Sequence, residues 1–147
     1  MEPARLDNLA LDSVDPAAIA PFWCALLGVE VVDRLDDGRF LELGVPPAGG
    51  VAMILQRVPE MKVAKNRMHV DLEIGDLDEA TAEIERLGGR WRDATTHDDH
   101  GFRWRNMADL QGNEFRSSPG GGSVRPGAAA QSQVRRSPAK ANTSPYS

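Results

Sequence analysis

Leu9 and Leu11 interleave with Asn8, Ala10 and Asp12, the period of a half-buried strand. Asp15 and Pro16 then mark a helix start, because an Asp cap accepts N–H groups and Pro at the first helical position leaves none unpaired. Ile19, Phe22, Trp23, Leu26 and Leu27 follow at helical spacing as one apolar stripe, and Gly28 ends it. Pro21 inside this run removes a backbone hydrogen bond, so a kink or an irregular first turn is expected. The same order of signals returns 61 residues later. Val70, Leu72 and Ile74 alternate with His69, Asp71 and Glu73, and Asp76 or Asp78 caps. Leu77, Ala80, Ile84 and Leu87 form the stripe, closed by Gly88 and Gly89. In this alignment Leu11, Asp15, Leu26 and Gly28 meet identical residues at Leu72, Asp76, Leu87 and Gly89.

After each Gly the chain reads as strands. The first set is VEVVDRL, RFLELGV and VAMILQRV, with a turn at Asp37-Gly38; the second is RWRDA, FRWRNMA and NEFRS, with a turn over Asp109 to Asn113. Each half is thus a strand, a helix and three strands. Two such units predict an α+β fold of two βαβββ modules, about residues 5–58 and 65–116, with sheets related by pseudo-twofold symmetry, helices outside and a concave inner face.

Charge divides the chain. Residues 1–116 hold all 22 acidic and 13 of the 17 basic side chains, whereas 117–147 hold four basic and no acidic ones. That last segment is built from Ser, Pro, Gly and Ala and has few apolar side chains, so a disordered tail is expected there. The folded unit is then 1–116, enough for one ordinary core. A net charge of −5 disfavours nucleic acid and anionic membranes, which need a positive footprint. No apolar run suits a membrane span, and the start lacks a secretory pattern, so a cytoplasmic location is expected. The single Cys24 agrees with a reducing compartment.

The segments DPAAIAPFWCALLGVEV, KNRMHVDLEIGDLDEATAEIERLGG and MADLQGNEF together resemble the glyoxalase-like domain of the vicinal oxygen chelate superfamily, with its bleomycin-resistance proteins and extradiol dioxygenases. The resemblance covers about residues 5–116 and implies the cup-shaped fold of that superfamily, which often assembles as homodimers. It says less about chemistry, since one scaffold serves isomerases, dioxygenases, epimerases, thiol transferases and binding proteins. In metal-dependent members a divalent ion sits in the cup on four His or Glu places. By motif position these fall here on Asn8, Gln56, His69 and Arg116, and only His69 is a usual ligand. A permanent cation such as Arg116 opposes a bound divalent metal, so no cofactor is expected.

The resemblance therefore implies a small-molecule-binding protein without the usual metal site, sequestering or transforming a small organic ligand. Its alternative is a divalent-metal-dependent lyase or isomerase using His69. His69 and Asp71 share the polar face of their strand and are the candidate catalytic pair, with Asp71 orienting the imidazole. Asn8, Gln56, Trp104 and Arg116 are candidate ligand contacts, Arg116 offering a bidentate fork to an anionic or carbonyl group. Phe102 and Met53 are expected to line an apolar pocket with Trp104, Trp23 belongs to the core, and Trp91 fits either place. The run His97, Asp98, Asp99 and His100 reads as a solvated turn or, less simply, as a metal cluster. The Asp109 to Asn113 turn needs no functional explanation, since its Asp and Asn side chains can bond the backbone.

Overall fold

The computed structural model describes residues 1–120, so the expected tail lies outside the described residues from Gly121 onward. The first module is β1 (Asn8–Ser13), α1 (Pro16–Leu27), β2 (Val31–Leu35), β3 (Phe40–Leu43) and β4 (Ala52–Arg57). The second is β5 (Val70–Ile74), α2 (Leu77–Arg86), β6 (Arg90–Trp91), β7 (His97–Asp99), β8 (Phe102–Ala108) and β9 (Glu114–Pro119). The strand orders are β1-β4-β3-β2 and β5-β9-β8-β6, each with one parallel pair, β1 with β4 and β5 with β9. The α+β fold is thus the expected pair of βαβββ modules, with one short extra strand, β7, in the second. β9 runs three residues past Arg116, with Ser117 and Ser118 buried. No described helix is long and apolar enough to cross a membrane.

The second module departs from a plain repeat along one strand. β6 pairs with Ala108 and Met107 of β8, whereas β7 pairs farther along the same strand, His97 opposite Trp104. Between these points five residues, 92–96, stand against two on β8, which makes a bulge with Ala94 at φ 51°. His97, Asp98 and Asp99 therefore belong to a strand, and only His100 and Gly101 form the turn.

The repeat solves equivalent problems by different means. Asp15 precedes α1 without a side-chain cap bond, while Asp76 Oδ1 accepts from the N–H groups of Asp78 and Glu79, both at 2.9 Å. Gly28 ends α1 at φ 67°, a left-handed position suited to Gly. Gly89 occupies the matching place because of crowding: a Cβ there would sit 2.8 Å from the Ala108 carbonyl, Ile84 and Phe22. α1 runs unbroken through Pro21, which lies on its exposed side, where water can meet the carbonyl that Pro leaves unpaired.

One core joins the modules. Ile19, Phe22 and Trp23 of α1 pack with Leu41, Leu43, Met53 and Leu55 of the first sheet and with Ile84, Met107 and Phe115 of the second module. Met53 is therefore a core residue at 6% exposure and lines no pocket, because alternation along β4 turns it toward α1. Phe22, Trp23 and Phe115 meet edge to face, with centroids 5.2 to 6.0 Å apart. α1 thus serves both modules instead of covering only its own sheet from outside.

A buried carboxylate completes this junction. Asp109 is 1% exposed, and its Oδ2 accepts from Trp23 Nε1 at 3.0 Å and Asn113 Nδ2 at 2.9 Å. Its Oδ1 accepts from the N–H groups of Gln111 and Asn113, both at 2.9 Å. The turn was explicable by Asp and Asn alone; the bond to Trp23 adds a tie between modules. Asp109→Ala is expected to cost about 3 kcal/mol or more in urea denaturation, since it strands several buried donors. Trp23→Phe, which keeps most of the ring and removes one donor, should cost about 1 to 2 kcal/mol. Equal losses would show that ring packing, and not the carboxylate, holds the junction.

Candidate functional site

Met107, Phe115, Val70 and Leu72 point into the core, so the residues between them occupy the opposite, open face of the second sheet. Asp71 and Arg116 are direct partners across β5 and β9, and Asn106 pairs with Arg116 across β8 and β9. The Arg116 guanidinium donates Nε to Asp71 Oδ1 at 2.8 Å and Nη2 to Oδ2 at 3.1 Å. The same carboxylate also stands beside the imidazole expected to pair with it: His69, one residue ahead of β5, holds its Nε2 3.5 Å from Asp71 Oδ1. Trp104 lies on the same face, with neighbours on either side. His97 from β7 stacks at 5.1 Å and 14°, and the Arg116 guanidinium from β9 stands 5.6 Å from the indole. Phe102 is 5.6 Å away along the strand.

A recess of about 190 Å³ opens on this face, lined by Lys65, His69, Arg92, Asn106, Glu114 and Arg116. Glu114 comes just before the Phe115–Val70 pair, its side chain only 9% exposed. It accepts from Lys62 Nζ at 3.2 Å and the Asn66 N–H at 3.3 Å, and forms an ion pair with Arg92 Nη1 at 3.1 Å. These contacts tie the linker to the second sheet. Sequence reasoning missed Glu114 and Arg92; the available signal was that Glu114 stands two residues before Arg116 and so shares its face. Arg105 illustrates the opposite parity. It is buried on the core side, over the Trp91 ring at 4.1 Å, and donates to Thr96, Thr81, the Leu77 carbonyl and Asp78. Trp91 is accordingly packed against the core.

Asn8 and Gln56 belong to the first sheet and do not line this recess. Asn8 pairs with Ala52 and Gln56 with Asp12, four residues along the strand, a separation of about 13 Å. The four places drawn from the family motif therefore do not converge within the described residues. Nor does the donor set suit a divalent ion: the carboxylate nearest His69 is engaged by a guanidinium, which brings a permanent positive charge to the same spot. Among the described residues no three His, Cys, Asp or Glu side chains are grouped to hold a metal.

The His97 segment is ordered by Asp93 instead. Asp93 Oδ2 meets His97 Nε2 at 2.7 Å and accepts from Asn106 Nδ2 at 2.9 Å, while Oδ1 accepts from the Thr95 N–H at 3.2 Å. Burial alone would raise the Asp93 pKa, but the hydrogen bonds from His97, Asn106 and Thr95, with the charge of His97, bring it below the usual range. His100 sits at the hairpin tip, 97% exposed, against Asp99. On α1, burial and then Glu30 push the Cys24 thiol up, away from nucleophilic use. A larger cleft of about 420 Å³ lies where the modules meet, with Asp12, Glu60, Lys62, Arg90, Leu110 and Gln111 in its wall. Its charges are mixed, and Gln111 is engaged in joining the modules through Ser13, Val14 and Asp15.

The family model described as a glyoxalase-like domain matches residues 8–117. The fold is similar to a fosfomycin resistance protein of Listeria monocytogenes at 16% identity and TM-score 0.65, covering 82% of this chain and 96% of that one. It is similar to the bleomycin-binding protein of Streptomyces verticillus, solved with copper(II)-bleomycin, at 22% identity and TM-score 0.55, covering 82% and 100%. A glyoxalase/bleomycin resistance protein/dioxygenase family enzyme of Burkholderia phytofirmans aligns at 12% identity and TM-score 0.61, covering 79% and 98%. No curated protein matches the sequence.

Because the Asp93 pKa is lowered by folding, its contribution to stability is present above the ordinary aspartate range and is lost as the pH falls through the lowered value. Thermal melts from about pH 5 down to about pH 2 should therefore fall more steeply for the wild-type chain than for Asp93→Asn. Parallel curves would mean that this cluster does not hold the bulge.

Proposed function

As the chain belongs to the glyoxalase-like domain family of the vicinal oxygen chelate superfamily, we propose that it binds a small anionic organic molecule on the open face of its second sheet, without a divalent metal. The observation that carries this reading is charge. In a chain of net charge −5, Lys65, Arg92 and Arg116 converge on one recess that a single carboxylate, Glu114, also lines. Arg116, held in place by Asp71, presents a fixed cation, and Trp104 and Phe102 give the neighbouring surface apolar character. His69 lines the recess as a polar contact, while Asn8 and Gln56 would act only from the first sheet. The small molecules in the names of the fosfomycin and bleomycin proteins support a small-molecule ligand, and the charge of the recess supports an anionic one. Whether the bound molecule is sequestered or transformed turns on the group that faces it.

A homodimer and a cytoplasmic location belong to the same reading. The first is supported by apolar side chains left in solvent on the linker, Met61 at 75%, Val63 at 95% and Met68 at 80% exposure. The second rests on the acidic composition and lone Cys24. Sedimentation should give twice the 16.0 kDa chain mass, and a stable single-chain species would count against the dimer.

The ligand reading is tested by thermal shift with pyruvate and phosphonoacetate against neutral acetamide. At ten times its dissociation constant a bound anion should raise the Tm by about 4 °C. The shift should shrink with added salt and vanish in Arg116→Gln. Equal shifts from acetamide, or an undiminished shift in the variant, would refute an anion site at Arg116.

A further inference from the structure

The cleft of about 420 Å³ between the modules shares no lining residue with the recess on the open face. Three of its charged side chains have no hydrogen-bond or ion-pair partner among the described residues: Asp12 near the end of β1, Glu60 after β4 and Arg90 at the start of β6. The two carboxylates belong to the first module and the guanidinium to the second. Lys62, the other cation in the wall, is engaged by Glu114 and the Ala64 carbonyl. The Arg90 guanidinium lies over the turn between β8 and β9, where a Cβ at Gly112 would meet its Nη2 at 3.5 Å. The walls stand close together, because Ser13 Oγ donates to Gln111 Oε1 at 2.9 Å and these two residues adjoin Asp12 and Gly112. Val14, Val58 and Leu110 supply apolar surface, Leu110 at 47% exposure. Asn113, 7% exposed, also lines the cleft. The Asp109 carboxylate can only accept, so Asn113 Nδ2 is the atom held on it at 2.9 Å and Oδ1 is left as an acceptor.

We propose that this cleft binds a free α-amino acid with an apolar side chain, its ammonium on Asp12 and Glu60 and its carboxylate on Arg90. The charges of the wall select against simpler ions. A plain anion would face two carboxylates and a plain cation the guanidinium, whereas a zwitterion meets an opposite charge at each end. The closeness of the walls calls for a short zwitterion, in which ammonium and carboxylate share one carbon. Arg90 offers that carboxylate a bidentate fork, and Val14, Val58 and Leu110 receive the side chain. The ligand bridges the two modules at a place separate from the recess at Arg116, so either site can fail alone.

The probes are L-leucine, N-acetyl-L-leucine, which lacks the ammonium, and L-leucinamide, which lacks the carboxylate. Broadening of their methyl NMR signals on titration with the full chain measures affinity. Leucine should bind with a Kd of about 1 mM or tighter. Removal of either charge from the ligand should weaken binding about tenfold or more. Arg90→Gln, and Asp12→Asn combined with Glu60→Gln, should each weaken leucine by about the same factor, while Arg116→Gln leaves it within twofold. All three positions are exposed, and an unchanged Tm confirms that the variants fold. Equal affinity for the three probes, undiminished leucine binding in Arg90→Gln, or loss of leucine in Arg116→Gln overturns the assignment. So does failure of leucine to bind the wild-type chain at tens of millimolar.

Discussion

The arrangement of the two modules depends on a carboxylate with almost no access to water. Burying the charge of Asp109 would be costly if any lone pair lacked a donor, and four N–H groups meet it. Two come from the backbone of its own turn, one from Asn113 and one from Trp23 in the other module. The last makes the turn between β8 and β9 answerable to α1. Trp23 then presses on Phe115, the neighbour of both Glu114 and Arg116 on β9. The direction of β9, and with it the face on which Arg116 lies, follows from that contact.

On the open face, strand alternation converts a core pattern into a row of polar groups. β7, β8, β9 and β5 each contribute one or two side chains, from His97 through Trp104 and Asn106 to Arg116 and Asp71. The row divides into two hydrogen-bonded clusters. Asp71 anchors the guanidinium at one end, and Asp93 anchors the imidazole at the other, with the indole between them. Each carboxylate fixes its partner and partly offsets its charge, as Glu114 does for Arg92 in the recess that Lys65 also lines.

The internal repeat shows how far pattern outlasts detail. Gly28 and Gly89 are aligned and identical, yet one answers a left-handed backbone and the other a contact with Ala108, Ile84 and Phe22. Asp15 and Asp76 are aligned and identical, yet only Asp76 bonds its helix. Where the repeat aligns Asn8 with His69, the sheets surround them differently, and Gln56 falls at the far end of β4 from Asn8. A ligand set carried over by motif position thus assumes a convergence that the strand registers do not provide.

The two modules, their element order and the helix stripes were legible in the sequence because hydrophobic period and Gly, Asp and Pro punctuation are local properties. So was the closeness of Asp71 to His69. Met53 was misjudged because alternation tells which residues share a face but not which face meets the core. The setting of His97 was hidden because its partners, Asp93 and Asn106, come together only through a bulge and a strand pairing. Likewise the Arg116–Asp71 fork and the Trp23–Asp109 bond join residues 45 and 86 positions apart. Local pattern sets which elements form and which way their side chains alternate; partner choice among charged groups is decided by three-dimensional proximity, which no spacing along the chain encodes.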